Sequence, residues 1–174
     1  MEDLVSIFKA YDVRGLVPEQ LDAETARLIG GSWARLIKRT EPKTTCVLVG
    51  RDMRPSGEEL AAAFSEGVTG QNLDVINLGL CSTDMLYFAS GHLRIPGSIF
   101  TASHNPSGYN GIKFCFSEAR PVSSDTGLNE IRDEVLSKTK PGNGTGNISQ
   151  LKLIHLLTQT VESIYIFSIR LLKP

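Results

Sequence analysis

Cys46-Val47-Leu48-Val49-Gly50-Arg51-Asp52-Met53-Arg54-Pro55-Ser56 carries an apolar run straight into a charged turn that closes on a proline and a hydroxyl. A strand with one wet face alternates apolar and polar residues, so an unbroken apolar run predicts a strand covered on both faces. Ser56 and Glu59 have the spacing of a capping box, which predicts a helix from there to about Thr69. Strand, turn and helix in that order form the repeating unit of a layered α/β domain.

The same grammar extends both ways. Upstream, residues 7–13 read as a short strand running into a turn at Gly15, and Asp22 then caps a helix. Leu21, Leu28, Ile29, Trp33, Leu36 and Ile37 recur at helical spacing until the break at Glu41-Pro42. Downstream, residues 73–79 read as a strand, residues 83–93 as a helix and Ser98-Ile99-Phe100-Thr101 as a further strand. Residues 111–116 follow too closely for a helical crossover, so that strand is expected antiparallel to its predecessor. A last helix is expected over about 125–138. The sum is a three-layer α/β/α domain around a mixed, mainly parallel sheet.

This domain is expected to span residues 1–140. The glycine-rich stretch 141–147 reads as a linker, and 148–174 as an apolar tail, either the start of a connection to another domain or a chance extension. Lys152, Glu162 and Arg170 divide that tail, whereas a bilayer span needs roughly 20 mostly apolar residues, which argues against a membrane. With 18 basic and 19 acidic residues the net charge is −1, and no run of like charge is present to attract nucleic acid. Glu2 and Asp3 stand where a secretory leader carries basic residues, so a cytoplasmic location is expected. Cys46, Cys81 and Cys115 are far apart in sequence and read as reduced core thiols, not as metal ligands.

Chemistry concentrates in Thr101-Ala102-Ser103-His104-Asn105-Pro106-Ser107-Gly108-Tyr109-Asn110-Gly111, between two apolar strands. Open α/β sheets place their sites in loops at strand ends. Ser103 is the natural nucleophile or phosphate carrier, His104 and Asn105 can donate to phosphate or sugar oxygens, and the loop's backbone N–H groups can hold an anion. Composition alone leaves a second reading open, a polar turn with no chemical role. A serine hydrolase is disfavoured, because the G-x-S-x-G elbow is absent and adjacent Ser and His side chains usually point apart. By themselves, Arg14 and Lys113 also read as solvated surface cations, and Arg51-Asp52 as a local ion pair holding a turn.

Three ordered strings change that balance. Thr101 to Pro106 with Tyr109-Asn110-Gly111-Ile112-Lys113 resembles the active-site serine loop of the alpha-D-phosphohexomutase family, phosphomannomutase/phosphoglucomutase type. Tyr11-Asp12-Val13-Arg14-Gly15 resembles the family's N-terminal motif, and Gly50 to Ser56 its second-strand turn. The resemblance covers the chain from about Ile7 to Lys138. It implies an isomerase acting by phosphotransfer, in which Ser103 gives its phosphoryl group to a hexose phosphate, and the resulting hexose bisphosphate turns over and returns its other phosphate. Arg14 and Lys113 would be the cations facing the serine, Tyr11 and His104 would orient hydroxyls, and Asn105 would touch substrate. A Mg²⁺ ion would bind Ser103 through its phosphate.

The family has four domains, and the motifs found here are those of the first. A D-x-D-x-D loop, which the resemblance assigns to the second domain as the remaining magnesium ligands, does not occur in the sequence. The chain alone is therefore expected to be inactive, with a chain carrying the other domains as a partner. The alternative is an inert fragment that binds phosphosugar or a partner without turnover.

Overall fold

Alternation along the strands decides how the layers stack. In β2 (Cys46–Arg51) Val47 and Val49 point into one apolar cluster and Leu48 into another, so the strand is buried on both faces as its composition demands. The computed structural model describes residues 2–140, 142–152 and 156–158. Besides β2 it contains α1 (Glu2–Ser6), β1 (Val13–Leu16), α2 (Ala23–Thr40), α3 (Gly57–Thr69), β3 (Asp74–Leu80) and α4 (Thr83–Leu93). The chain continues through β4 (Gly97–Phe100), β5 (Tyr109–Phe116), β6 (Arg120–Pro121), α5 (Leu128–Leu136) and β7 (Ile148–Gln150).

The sheet runs β1-β5-β4-β2-β3-β7, with β6 beside β5. β4, β2, β3 and β7 are mutually parallel, while β5 is antiparallel to both β4 and β1, so the sheet is mixed. Helices α2, α3 and α5 cover one face and α4 the other, as expected for three α/β/α layers. On the larger side Trp33 packs against Phe114 and Phe116 at centroid distances of 5.0 and 5.9 Å, and Phe64 meets Phe100 edge-on at 5.5 Å. Helices α2 and α3 approach through glycine. A Cβ at Gly67 would lie 2.0 Å from the Arg27 carbonyl oxygen, and one at Gly30 would lie 2.1 Å from that of Phe64.

Several local expectations are corrected. The N-terminal strand begins at Val13, not residue 7; Ile7 and Phe8 follow a helical turn, and Phe8 makes an isolated bridge to Val13. Asp22 caps α2 by accepting from the Thr25 N–H at 2.8 Å, as its position suggested. Ser56 does not cap α3: its own backbone is helical, and its hydroxyl accepts instead from Asn110 Nδ2 at 2.9 Å. The last helix starts at Leu128, because a 3-10 turn over Ser124–Thr126 ends at Gly127 with φ of 138°.

The glycine-rich stretch lies hydrogen-bonded against the end of α3, with Gly144 N–H donating to Gly70 O at 2.8 Å and Gly146 N–H to Thr69 O at 3.1 Å. It leads into β7, which joins the sheet edge beside β3. His155 and the apolar run at 164–169 lie outside the described residues. Among the described residues, no helix is long and apolar enough to cross a membrane. All three cysteines are free; Cys81 and Cys115 are buried and Cys46 partly so, and burial raises each thiol, that of Cys81 to about 11.

Candidate active site

Strands β2 and β4 are parallel neighbours, so their carboxyl ends open at the same edge of the sheet. The turn after β2 and the loop after β4 therefore meet there, and the Asp52 N–H donates to Phe100 O at 2.9 Å to join them. Arg54 completes the junction. Its Nη1 donates to the carbonyls of Pro106 and Tyr109, both at 2.8 Å, and its Nη2 to those of Ser103 at 3.0 Å and Asn105 at 2.7 Å. A planar fork with several fixed donors can serve four acceptors at once; a lysine ammonium cannot match that geometry. Asp52 steadies the arginine, accepting from its backbone N–H at 2.9 Å, with its Oδ2 lying 3.5 Å from Arg54 Nε. The expected Arg51–Asp52 pair does not form: Arg51 pairs with Glu58 at 3.2 Å, because the turn sends the two side chains to different partners.

A second cluster comes from β1 and β5, which pair so that Arg14 lies opposite Gly111 and Val13 opposite Ile112. Gly111 permits this approach, since a Cβ there would lie 2.3 Å from Val13 O. Asp12 is nearly buried, and its Oδ2 accepts from Arg14 Nη2 at 2.7 Å and from Lys113 Nζ at 2.9 Å. Both cations remain about a quarter exposed, at 24% and 25%. Arg14 also reaches the serine loop, donating through Nη1 to Asn105 Oδ1 at 2.7 Å and to Ala102 O at 3.4 Å. The two cations named from sequence thus meet at one carboxylate, and one of them touches residues on both sides of Ser103.

Ser103 itself is exposed, with a left-handed backbone at φ of 53°, and its N–H donates to Thr101 Oγ1 at 3.0 Å. This conformation is costly for a residue bearing a Cβ and tends to persist where the surroundings impose it. It brings Ser103 Oγ within 3.0 Å of His104 Nδ1, so these adjacent side chains meet, contrary to the usual divergence of neighbours. Among the described residues the imidazole makes no other hydrogen bond and no carboxylate orients it, which separates the pair from a hydrolase triad. Tyr11 stands out into solvent at 71% exposure, one residue before Asp12.

Two contributors were missed in the sequence. Asp12 had a signal, since alternation along an extended segment puts residues 12 and 14 on one face. Arg54 had none, because its acceptors are backbone carbonyls some fifty residues away. A magnesium ion does not fit the described residues alone. Among the described residues no three carboxylate, imidazole or thiol groups converge, and Asp12 already serves two cations.

Residues 5–141 match the family model described as phosphoglucomutase/phosphomannomutase, alpha/beta/alpha domain I. A Xanthomonas campestris relative described as phosphohexose mutases is 44% identical over 133 residues, covering 76% of this chain and 29% of the relative. A phosphomannomutase from Klebsiella pneumoniae is 35% identical over 159 residues, covering 91% of this chain and 98% of the relative. Among solved structures, a phosphoglucomutase/phosphomannomutase family protein from Burkholderia thailandensis superposes with a TM-score of 0.79 at 30% identity, over 88% of this chain and 34% of that one. The chain thus spans about three-tenths of the length of the Xanthomonas relative.

Proposed function

The chain belongs to the phosphoglucomutase/phosphomannomutase family, as its α/β/α domain I, and on that premise we propose that Ser103 carries a phosphoryl group to and from hexose phosphates. The observation that supports this reading most is the exposed Ser103 hydroxyl in a loop clamped by Arg54 and touched by Arg14. A primary hydroxyl is a weak nucleophile, and phosphoryl transfer is governed by positioning and by neutralising charge on the transferring group.

In the transfer, the Ser103 Oγ–phosphorus bond forms as the bond from phosphorus to a sugar oxygen of a hexose bisphosphate breaks. His104 Nδ1, at 3.0 Å from Oγ, takes the hydroxyl proton, and the departing sugar oxygen takes a proton from solvent, so that the sugar leaves as a hexose monophosphate. Arg14 and Lys113 stabilise the negative charge on the equatorial oxygens, held in their places by Asp12. Asn105 and Tyr11 contact the sugar. Magnesium, if bound to the phosphorylated serine, would supply further charge neutralisation; the serine phosphate would be its one ligand here, and its other ligands would have to come from outside the described residues. Full mutase turnover is assigned to an assembly with the further domains of the longer relatives.

Incubating the purified chain with glucose or mannose 1,6-bisphosphate tests the reading. The expected result is hexose monophosphate released in step with a gain of one phosphoryl group on the protein, both lost in Ser103→Ala. Binding of the bisphosphate without any transfer would overturn the carrier role in favour of an inert phosphosugar-binding module.

A further inference from the structure

In a trans peptide the carbonyl of one residue and the N–H of the next point in opposite directions. Arg54 gathers the carbonyls of Ser103, Asn105, Pro106 and Tyr109 on one side of the serine loop, at 2.7 to 3.0 Å. The N–H groups of His104 and Ser107, which follow two of those carbonyls, consequently face away from the guanidinium. Pro106 has no N–H to contribute, and that of Asn110 lies within β5. Neither the His104 nor the Ser107 amide donates to a protein acceptor among the described residues. Both residues are exposed, as is Ser103, so the two outward-turned donors are open to solvent on the serine loop.

We infer that the His104 and Ser107 amides form a seat for the peripheral oxygens of a phosphate group, and that Arg54 is the positioning residue that aims them. The inference rests on the carrier reading for why phosphate belongs here, and it deepens that reading by naming the groups that hold the anion. Two oriented amides with a fixed positive charge behind them form a preorganised anion site that needs no rearrangement when charge arrives. Arg54 acts through the loop and not on the substrate, since its donors are turned inward to carbonyls and its side chain is only 10% exposed. The left-handed backbone of Ser103 is the kink that turns its peptide so that its carbonyl faces Arg54 and the next N–H faces out.

The test uses the intact ¹⁵N-labelled chain, titrated with inorganic phosphate at fixed pH, with chloride at matched ionic strength as the control. The expected result is a saturable downfield shift of the His104 and Ser107 amide protons, in the wild type and in Ser103→Ala alike. Arg54→Lys should bind phosphate roughly tenfold more weakly, and Arg54→Met should show no saturable shift. The proposal is overturned if the two amides do not move in the folded wild type, if chloride moves them equally, or if Arg54→Lys binds as tightly as wild type. Should Arg54→Met fail to fold, the lysine variant decides. Phosphate binding at these amides without phosphorylation by a hexose bisphosphate would sink the carrier reading and leave this inference standing; phosphorylation without amide shifts would do the reverse.

Discussion

Replacing Asp12 by Asn removes the one negative charge that Arg14 and Lys113 share. The carboxylate is 9% exposed and accepts at 2.7 and 2.9 Å from cations that are 24% and 25% exposed. A hydrogen bond to a charged group contributes about 1.5 kcal/mol at the low end of its range, so one bond to each cation puts the loss at roughly 3 kcal/mol before screening. Water reaches both cations and the asparagine keeps an acceptor oxygen, which brings the expected cost to about 2 kcal/mol. Urea unfolding of a domain this size has a slope of about 2 kcal/mol per molar, so the midpoint should fall by about 1 M. A double-mutant cycle with Lys113→Met isolates the pair, and a coupling of about 1 kcal/mol is expected. A midpoint unchanged within about 0.2 M, together with zero coupling, would refute the idea that this carboxylate organises the two cations.

Gly67→Ala should destabilise the fold by about 2 kcal/mol or more, because the new Cβ lies 2.0 Å from the Arg27 carbonyl oxygen and α2 and α3 must separate; a thermal melt reads the loss. Cys81, with its thiol raised to about 11 by burial, should react with a disulfide reagent at neutral pH far more slowly in the folded chain than in urea. The same shift has a sign for stability. The unfolded chain releases this proton near the ordinary thiol value and the folded chain does not, so stability is full below that value and declines as pH climbs toward about 11. Urea midpoints across that range should fall more steeply for wild type than for Cys81→Ala.

The layers were legible because they rest on periodicity. Val47, Leu48 and Val49 announce a strand buried on both faces, and the stripe from Leu21 to Ile37 announces the helix that covers it. The antiparallel turn into β5 was legible from the short connection alone, since the eight residues 101–108 leave no room for a crossover helix. Local polar spacing was a poorer guide. Ser56 and Glu59 have capping-box spacing, yet the Ser56 hydroxyl serves Asn110, 54 residues away, because a tertiary donor reached it. At the site, Ser103, His104 and Asn105 could be named from residue type, and Arg14 and Lys113 only through the family resemblance, whereas their mutual geometry could not be read. Arg54 was hidden because a carbonyl carries no side-chain signature. β7 escaped notice because three exposed residues beyond a glycine-rich stretch show no periodicity to mark a strand.

Fragmentation mass spectrometry of the chain after exposure to a hexose 1,6-bisphosphate locates the transferred group to a single residue. The carrier account predicts the phosphoryl group on Ser103 and on none of Thr101, Ser107 or Ser56. A phosphoryl group on any of those neighbours, or one that still appears in Ser103→Ala, would contradict it.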